Sequence, residues 1–483
     1  MNFRLIYKVV GNVLLVEAGG LILPLAASLY FHEETWHSFA LVVALCAVLG
    51  FTLARLPAGP KDMMQGRDGY MAVAVAWLGL SAFGAVPYVV SHAIPRYLDA
   101  FFETVSGFTT TGATILTDIE SLPKGVLFWR AETQWMGGMG VLVMFLALMP
   151  KLGSGSVHLM RAESPGPIKS KLVPKVGQTA KILYAIYISL TAAEIVALRV
   201  AGLGWYESVT HAFTTLATGG FSVKGASIAA YNGSPAIVWI ITVFTFLAGV
   251  NFSLIYAAFR GNWRQVWRSE ELRLYIALIL CAAGLICLDL TLHTGARPAD
   301  SFTDAAFQVV TIITTTGYAT RDFALWPTFS RCILVVLMFI GACAGSTAGG
   351  VKVSRVLIHL KSLRRDLARI IHPNHVSVLS MDGETLSERV VSSSHGFLVA
   401  YVVVLIAGVL VVSWDKVGFE EAVTASMTCI GNVGPGMGLL GPSGNFSALS
   451  GLSKFFLSLE MLMGRLELLP LLVLFNPDTW RNR

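Results

Sequence analysis

Charge is what this chain has least of. Only 13% of its 483 residues are Asp, Glu, Lys or Arg, and 55% are hydrophobic. An average soluble protein carries about 25% charge. So few charges cannot cover the core that so much apolar surface would build, and the mean hydropathy is +0.67. A soluble enzyme, a disordered scaffold and a disulfide-framed secreted domain are excluded. Cysteine is sparse as well: Cys46, Cys281, Cys287, Cys332, Cys343 and Cys429 show no CxxC spacing, lie in apolar or Gly/Thr-rich stretches, and read as buried thiols. No HExxH occurs, and His372 and His375 lie in a basic segment without carboxylate partners, so no metal centre is read. No Ser/His/Asp set is arguable, which leaves an enzyme as the weakest class. No GxxxxGK[ST] loop is present, so any nucleotide sensing has to come from elsewhere. The net charge is +6, but no basic stretch is interleaved with aromatics, and nucleic acid is set aside as a partner. No small-residue cleavage site follows the first apolar run, so Leu5–Tyr30 reads as a retained helix.

What is present is a series of apolar runs long enough to cross a bilayer core of about 30 Å. They predict an all-α polytopic membrane protein with spans near 5–30, 37–55, 70–92, 125–150, 182–203, 235–258, 272–293, 330–351, 396–414 and 452–476. On that assignment 24 of the 35 Lys and Arg fall on the side of the N-terminus, ten on the other side, and Arg465 inside a span. The positive-inside rule then places both termini in the cytoplasm.

Four segments on the opposite side resemble one another. They are Val105–Thr114, Ala212–Phe221, Val310–Ala319 and Met427–Gly436, and each lies between two spans. Aligned on Gly112, Gly219, Gly317 and Gly434, they are separated by 107, 98 and 117 residues. Each begins near an acid (Asp99, Glu207, Asp304 or Glu421), which suits a helix N-terminus. Each is about half a bilayer long and ends in Thr and Gly, or in Asn-Val-Gly. The pattern predicts four re-entrant half-helices with extended returns. Irregular backbone at membrane depth is tolerated only where protein buries it or it lines an aqueous cavity. Four such loops on one axis build a pore, with carbonyls available to replace the hydration shell of a cation.

At these residues the chain resembles the Trk/Ktr/HKT superfamily of potassium transporters, and within it most nearly the bacterial TrkH membrane subunits. The resemblance spans nearly the whole chain. It implies an N-terminal two-helix hairpin (1–66) and four span–pore-loop–span repeats (67–160, 161–262, 263–372 and 373–483) forming a pseudo-tetrameric, potassium-channel-like pore. It implies K+ as the transported ion, with no organic cofactor. Its ligands would come from Thr110, Thr111 and Gly112; Ala217, Thr218 and Gly219; Thr315, Thr316 and Gly317; and Asn432, Val433 and Gly434. In plant relatives, serine at the first-filter glycine goes with sodium transport; glycine at all four positions here favours potassium. The fourth loop departs from the Thr-Gly pattern and makes the ring asymmetric.

The second span of the third repeat carries Gly341, Gly345, Gly349 and Gly350, each costing about 1 kcal/mol relative to alanine in a helix. One reading is close packing through small residues. The other, which the resemblance supports, is a gating loop at 341–350 that blocks the pore through Gly345, Ser346, Thr347, Gly349 and Gly350. Arg465 reads either as half of an ion pair with Glu460 or Glu467, or as a positive barrier in the permeation path. Lys352 and Arg355 form a basic end on which a partner could pull. The segments Lys151–Lys181 and Lys352–Arg369 read either as contacts to the lipid bilayer or as a docking surface. The resemblance names a partner, a cytosolic TrkA-like ring of nucleotide-binding domains, and implies a homodimer in the bacterial inner membrane. The competing class is a proton- or sodium-coupled cation symporter with alternating access. Such carriers usually show two related halves, whereas this chain shows four quarters with loops on one side.

Overall fold

The computed structural model describes residues 2–56, 66–140, 176–372, 378–475 and 477. The end of the expected 125–150 span, most of Lys151–Lys181, His375 and the last basic residues lie outside the described residues. Among the described residues the fold is helical, with one two-stranded hairpin, Ser380–Met381 against Glu384–Thr385.

The chain opens with helices Phe3–Gly20 and Ile22–Tyr30, nearly continuous through Leu21, and returns through Trp36–Ala54. The two arms cross closely because both are glycine at the crossing. A Cβ on Gly11 would lie 2.8 Å from the Gly50 carbonyl oxygen. Small residues let membrane helices approach backbone to backbone.

Four units follow, each an outer span, a short pore helix and a returning helix. The first uses Gly66–Gly84, Tyr97–Phe108 and Lys124–Gly138. The second uses Val176–Val200, Trp205–Leu216 and Pro235–Ala248. The third uses Glu270–Thr294, Pro298–Ile313 and Thr328–Ile340, and the fourth Glu388–Val412, Phe419–Gly431 and Gly451–Arg465. Among the described residues, six helices are long and apolar enough to span a membrane. Their outward faces carry large apolar side chains such as Leu280, Leu288, Val399 and Leu410, as a lipid-facing surface requires. Cys281 on the span Glu270–Thr294 and Cys332 on the shorter helix Thr328–Ile340 are exposed, so the expectation of six buried thiols holds only for Cys46, Cys343 and Cys429, with Cys287 intermediate.

The returning helices differ from the continuous spans expected at 235–258 and 452–476. Pro235–Ala248 stops at Gly249, and the chain resumes at Phe252–Phe259 bent by 101°. The Asn251 side chain accepts the Ser253 N–H and starts the second piece. Gly451–Arg465 likewise gives way to Leu469–Phe475 through Glu467 and Leu468, both at positive φ. Thr328–Ile340 stops at Gly341, and no helix resumes before Val353–Ile371. The returning helices therefore end beneath the pore loops.

Candidate ion pathway

The pore helices run 12–16 residues, about 18–24 Å at the α-helical rise. Acids occupy their first turns: Asp99, Glu207, Asp300, and Glu420 with Glu421. The third helix starts earlier than its sequence suggested, at Pro298. Asp304 therefore sits in the second turn, where it holds Arg321 at 2.5 Å and Thr320 at 3.2 Å across the returning strand.

All four helices end the same way. The amides of Thr110, Thr218, Thr315 and Asn432 bond back to the carbonyls of Gly107, Thr215, Ile312 and Cys429. The next amides, of Thr111, Gly219, Thr316 and Val433, reach Ser106, Thr214, Thr311 and Thr428 at 2.8–2.9 Å. This is the Schellman cap, and its left-handed position is normally glycine. Here it holds Thr110 at φ 55°, Thr218 at 53°, Thr315 at 57° and Asn432 at 54°. A β-branched residue in that region is a true outlier. Glycine returns two residues later, at Gly112, Gly220, Gly317 and Gly434, with φ between 76° and 104°.

This shared geometry corrects the sequence alignment. Gly220, not Gly219, is the counterpart of Gly112, and the matching triplet in the second loop is Thr218-Gly219-Gly220. The separations become 108 and 97 for the first two steps. Ala217 takes the place of Thr109, one residue before the turn.

The four glycines close a ring. A Cβ on Gly112 would lie 2.3 Å from the Gly219 carbonyl oxygen, and one on Gly220 would lie 1.9 Å from that of Thr316. One on Gly317 would lie 2.1 Å from the Val433 oxygen, and one on Gly434 2.6 Å from the Thr111 oxygen. Each loop thus meets the next in chain order, and the fourth meets the first. No side chain fits at these points. Above the ring a cavity of about 120 Å³ is lined by all four glycines together with Arg130 and Lys224.

Side chains hold the loops in place, and Gln134, Gln308, Arg130 and Glu103 among them went unmarked by the sequence reading. Gln134 donates to the Gly219 carbonyl at 2.6 Å and accepts the Phe221 N–H at 3.1 Å. Gln308 donates to the Tyr318 carbonyl, and the Tyr318 hydroxyl meets Thr214 of the second pore helix. Buried Arg130 pairs with Glu103 at 2.7 Å and reaches the Ser222 carbonyl, joining the first loop to the second. Lys454–Asp99 at 2.7 Å joins the fourth unit to the first. Asn432 donates to Thr111 at 3.0 Å and to the Met461 carbonyl at 2.9 Å. A Gln inside an apolar span was the available signal, since a buried amide must find partners.

Beneath the ring lies the segment 341–352. Its neck is closed by Val351, Lys352 and Val353 amides bonded to the carbonyls of Phe339, Ile340 and Ala342. Beside the neck it reaches the ring, where the Gly349 N–H donates to the Thr315 hydroxyl at 2.7 Å. A Cβ on Gly349 would lie 2.4 Å from the Gly431 carbonyl oxygen. Gly345 faces Asn251, and its carbonyl accepts the Phe252 N–H. Ser346 bonds Cys343 within the loop, and Thr347 bonds the Ala248 carbonyl.

Arg465 closes its helix directly under the loop. It donates to the carbonyls of Thr347 at 2.6 Å and of Gly137 and Gly138 at 2.5 Å each. Glu460 accepts from Ser426 at 2.8 Å, and Glu467 binds Arg355 at 2.6 Å. The two basic residues expected to face a partner are buried. Lys352 turns back onto the Ala348 carbonyl, and Arg355 packs on Phe397 while holding Glu467. The exposed basic residues of helix Val353–Ile371 are Arg364 and Arg369 further along, with exposed Asp366 between them.

The chain matches the family described as "TrkH: Cation transport protein" over residues 34–481. It is 38% identical over 486 residues to the Trk system potassium uptake protein TrkH of Salmonella typhimurium, covering 100% of both chains. It is 37% identical to the protein of that name from Escherichia coli K12, again over the full length of both. The crystal structure of the potassium transporter TrkH from Vibrio parahaemolyticus superposes with a TM-score of 0.88 at 34% identity, covering 100% of each chain.

Proposed function

From a chain that belongs to the TrkH family of cation transport proteins, we propose a pore for potassium uptake. The ring of glycines meeting neighbouring carbonyls carries this reading. Stacked carbonyls can replace an ion's hydration shell, and the four pore helices point their negative ends at the axis. The K+ ligands are Thr110, Thr111 and Gly112; Thr218, Gly219 and Gly220; Thr315, Thr316 and Gly317; and Asn432, Val433 and Gly434. Ala217 leaves the set because of the register. Segment 341–352 is the gate: its Gly349 stands against the ring, and its Thr347 carbonyl is tied to Arg465. Arg465 adds a positive barrier on the same path.

The membrane is the bacterial inner membrane, with both termini cytoplasmic. A cytosolic nucleotide-binding ring of TrkA type moves the gate through helix Val353–Ile371, and two copies of the chain associate. The test is potassium and sodium flux into proteoliposomes holding this chain at set voltage. Passive flux of potassium over sodium, degraded by Gly112→Ser, is expected. Flux that requires a proton or sodium gradient would support the symporter instead.

A further inference from the structure

Segment 341–352 has to separate from its neighbours to clear the pore, and one buried carboxylate spans the place where it would part. Glu271 sits in the first turn of the third outer span, 5% exposed. Its Oε1 accepts the Ala344 N–H at 2.6 Å and the Ser354 N–H at 3.2 Å. Ala344 is just inside the loop, and Ser354 opens helix Val353–Ile371. A single oxygen therefore bridges the loop and the helix that follows it, and fixes both to a span that does not belong to the gate. Glu270 alongside binds Lys361 of the same helix, and its N–H donates to Asp382 of the hairpin.

We propose that Glu271 is the latch of the gate, a positioning residue that keeps the loop closed and couples it to helix Val353–Ile371. The inference rests on the pore reading above. A carboxylate accepting two amides in a buried site forms charge-assisted hydrogen bonds, roughly twice as strong as neutral ones. Displacing the helix pulls the Ser354 amide off the shared oxygen and loosens its hold on Ala344. Glu271 does not touch the ring, so ion choice does not depend on it.

The test uses the full chain in proteoliposomes as wild type, Glu271→Gln and Glu271→Leu. Two readouts are taken: potassium flux with its ratio to sodium flux, and the rate at which a small maleimide modifies Cys343, followed by peptide mass spectrometry. Cys343 lies in the loop and is buried in the closed arrangement. Glu271→Leu keeps the volume and removes the acceptor. It is expected to raise both potassium flux and Cys343 labelling at least about tenfold, since both bonds to the shared oxygen are lost, without changing the potassium-to-sodium ratio. Glu271→Gln keeps an accepting oxygen and is expected to stay near wild type in both. Wild-type labelling and flux in Glu271→Leu would overturn the latch. So would equal effects from Gln and Leu, or a changed ion ratio. Faster labelling without potassium flux in any variant would retain the latch and overturn the pore reading.

Discussion

Asn432 and the three threonines at the equivalent turns show how much one backbone dihedral decides. Asparagine visits the left-handed region more readily than β-branched threonine, so the fourth turn is the least strained of the four. Its amide then binds Thr111 and Met461, which threonine could not do. The second loop offers a sharper test, because Gly219 and Gly220 are adjacent and only at Gly220 would a Cβ point into the backbone of the neighbouring loop. Gly220→Ala would put a Cβ 1.9 Å from a backbone carbonyl and is expected to reduce potassium-over-sodium discrimination at least about tenfold. Gly219→Ala meets the Gln134 amide, a side chain that can shift, and is expected to keep most of the discrimination. Flux ratios of the two variants measured side by side decide the register. The sequence could not, since Thr-Gly-Gly matches Thr-Gly in two ways, and it is the helix cap that selects one.

At the scale of elements, the four pore helices were legible because each combines an acid near its start, a length too short to cross and a shared ending. The gap in the third returning helix was legible too, from four glycines between 341 and 350. The breaks at 249–251 and 466–468 were not. One has a single glycine, and the other is made by Glu467 and Leu468, residues with no propensity for positive φ. These breaks follow from tertiary contacts: Asn251 starts a new helix, and Arg465 spends its donors on carbonyls of other segments. Arg465→Ala removes three such bonds and is expected to increase potassium flux severalfold at an unchanged ion ratio. Unchanged flux with a lower melting temperature would assign Arg465 to the fold alone. Gly349→Ala drives a Cβ toward the Gly431 carbonyl and is expected to push the loop off the ring. Higher unassisted flux with normal selectivity is the result to look for.

For the whole molecule, composition made the membrane class plain, and repetition made the fourfold plan plain. The links between units could not be read, because they join residues far apart in sequence. Arg130, paired with buried Glu103 of its own unit, makes one such link by reaching the Ser222 carbonyl of the second. Arg130→Met leaves a carboxylate without its charge partner and is expected to cost about 3–5 kcal/mol of stability. Adding Glu103→Gln to the same chain is expected to recover most of it. Thermal unfolding of the single and double variants in detergent measures both.

The closing of the ring within one polypeptide has a further consequence. A channel assembled from four separate subunits depends on their concentration, and any substitution in it enters four times. Here the order of the quarters is set by peptide bonds, so dilution cannot take the filter apart, and each corner can diverge without dragging the other three along.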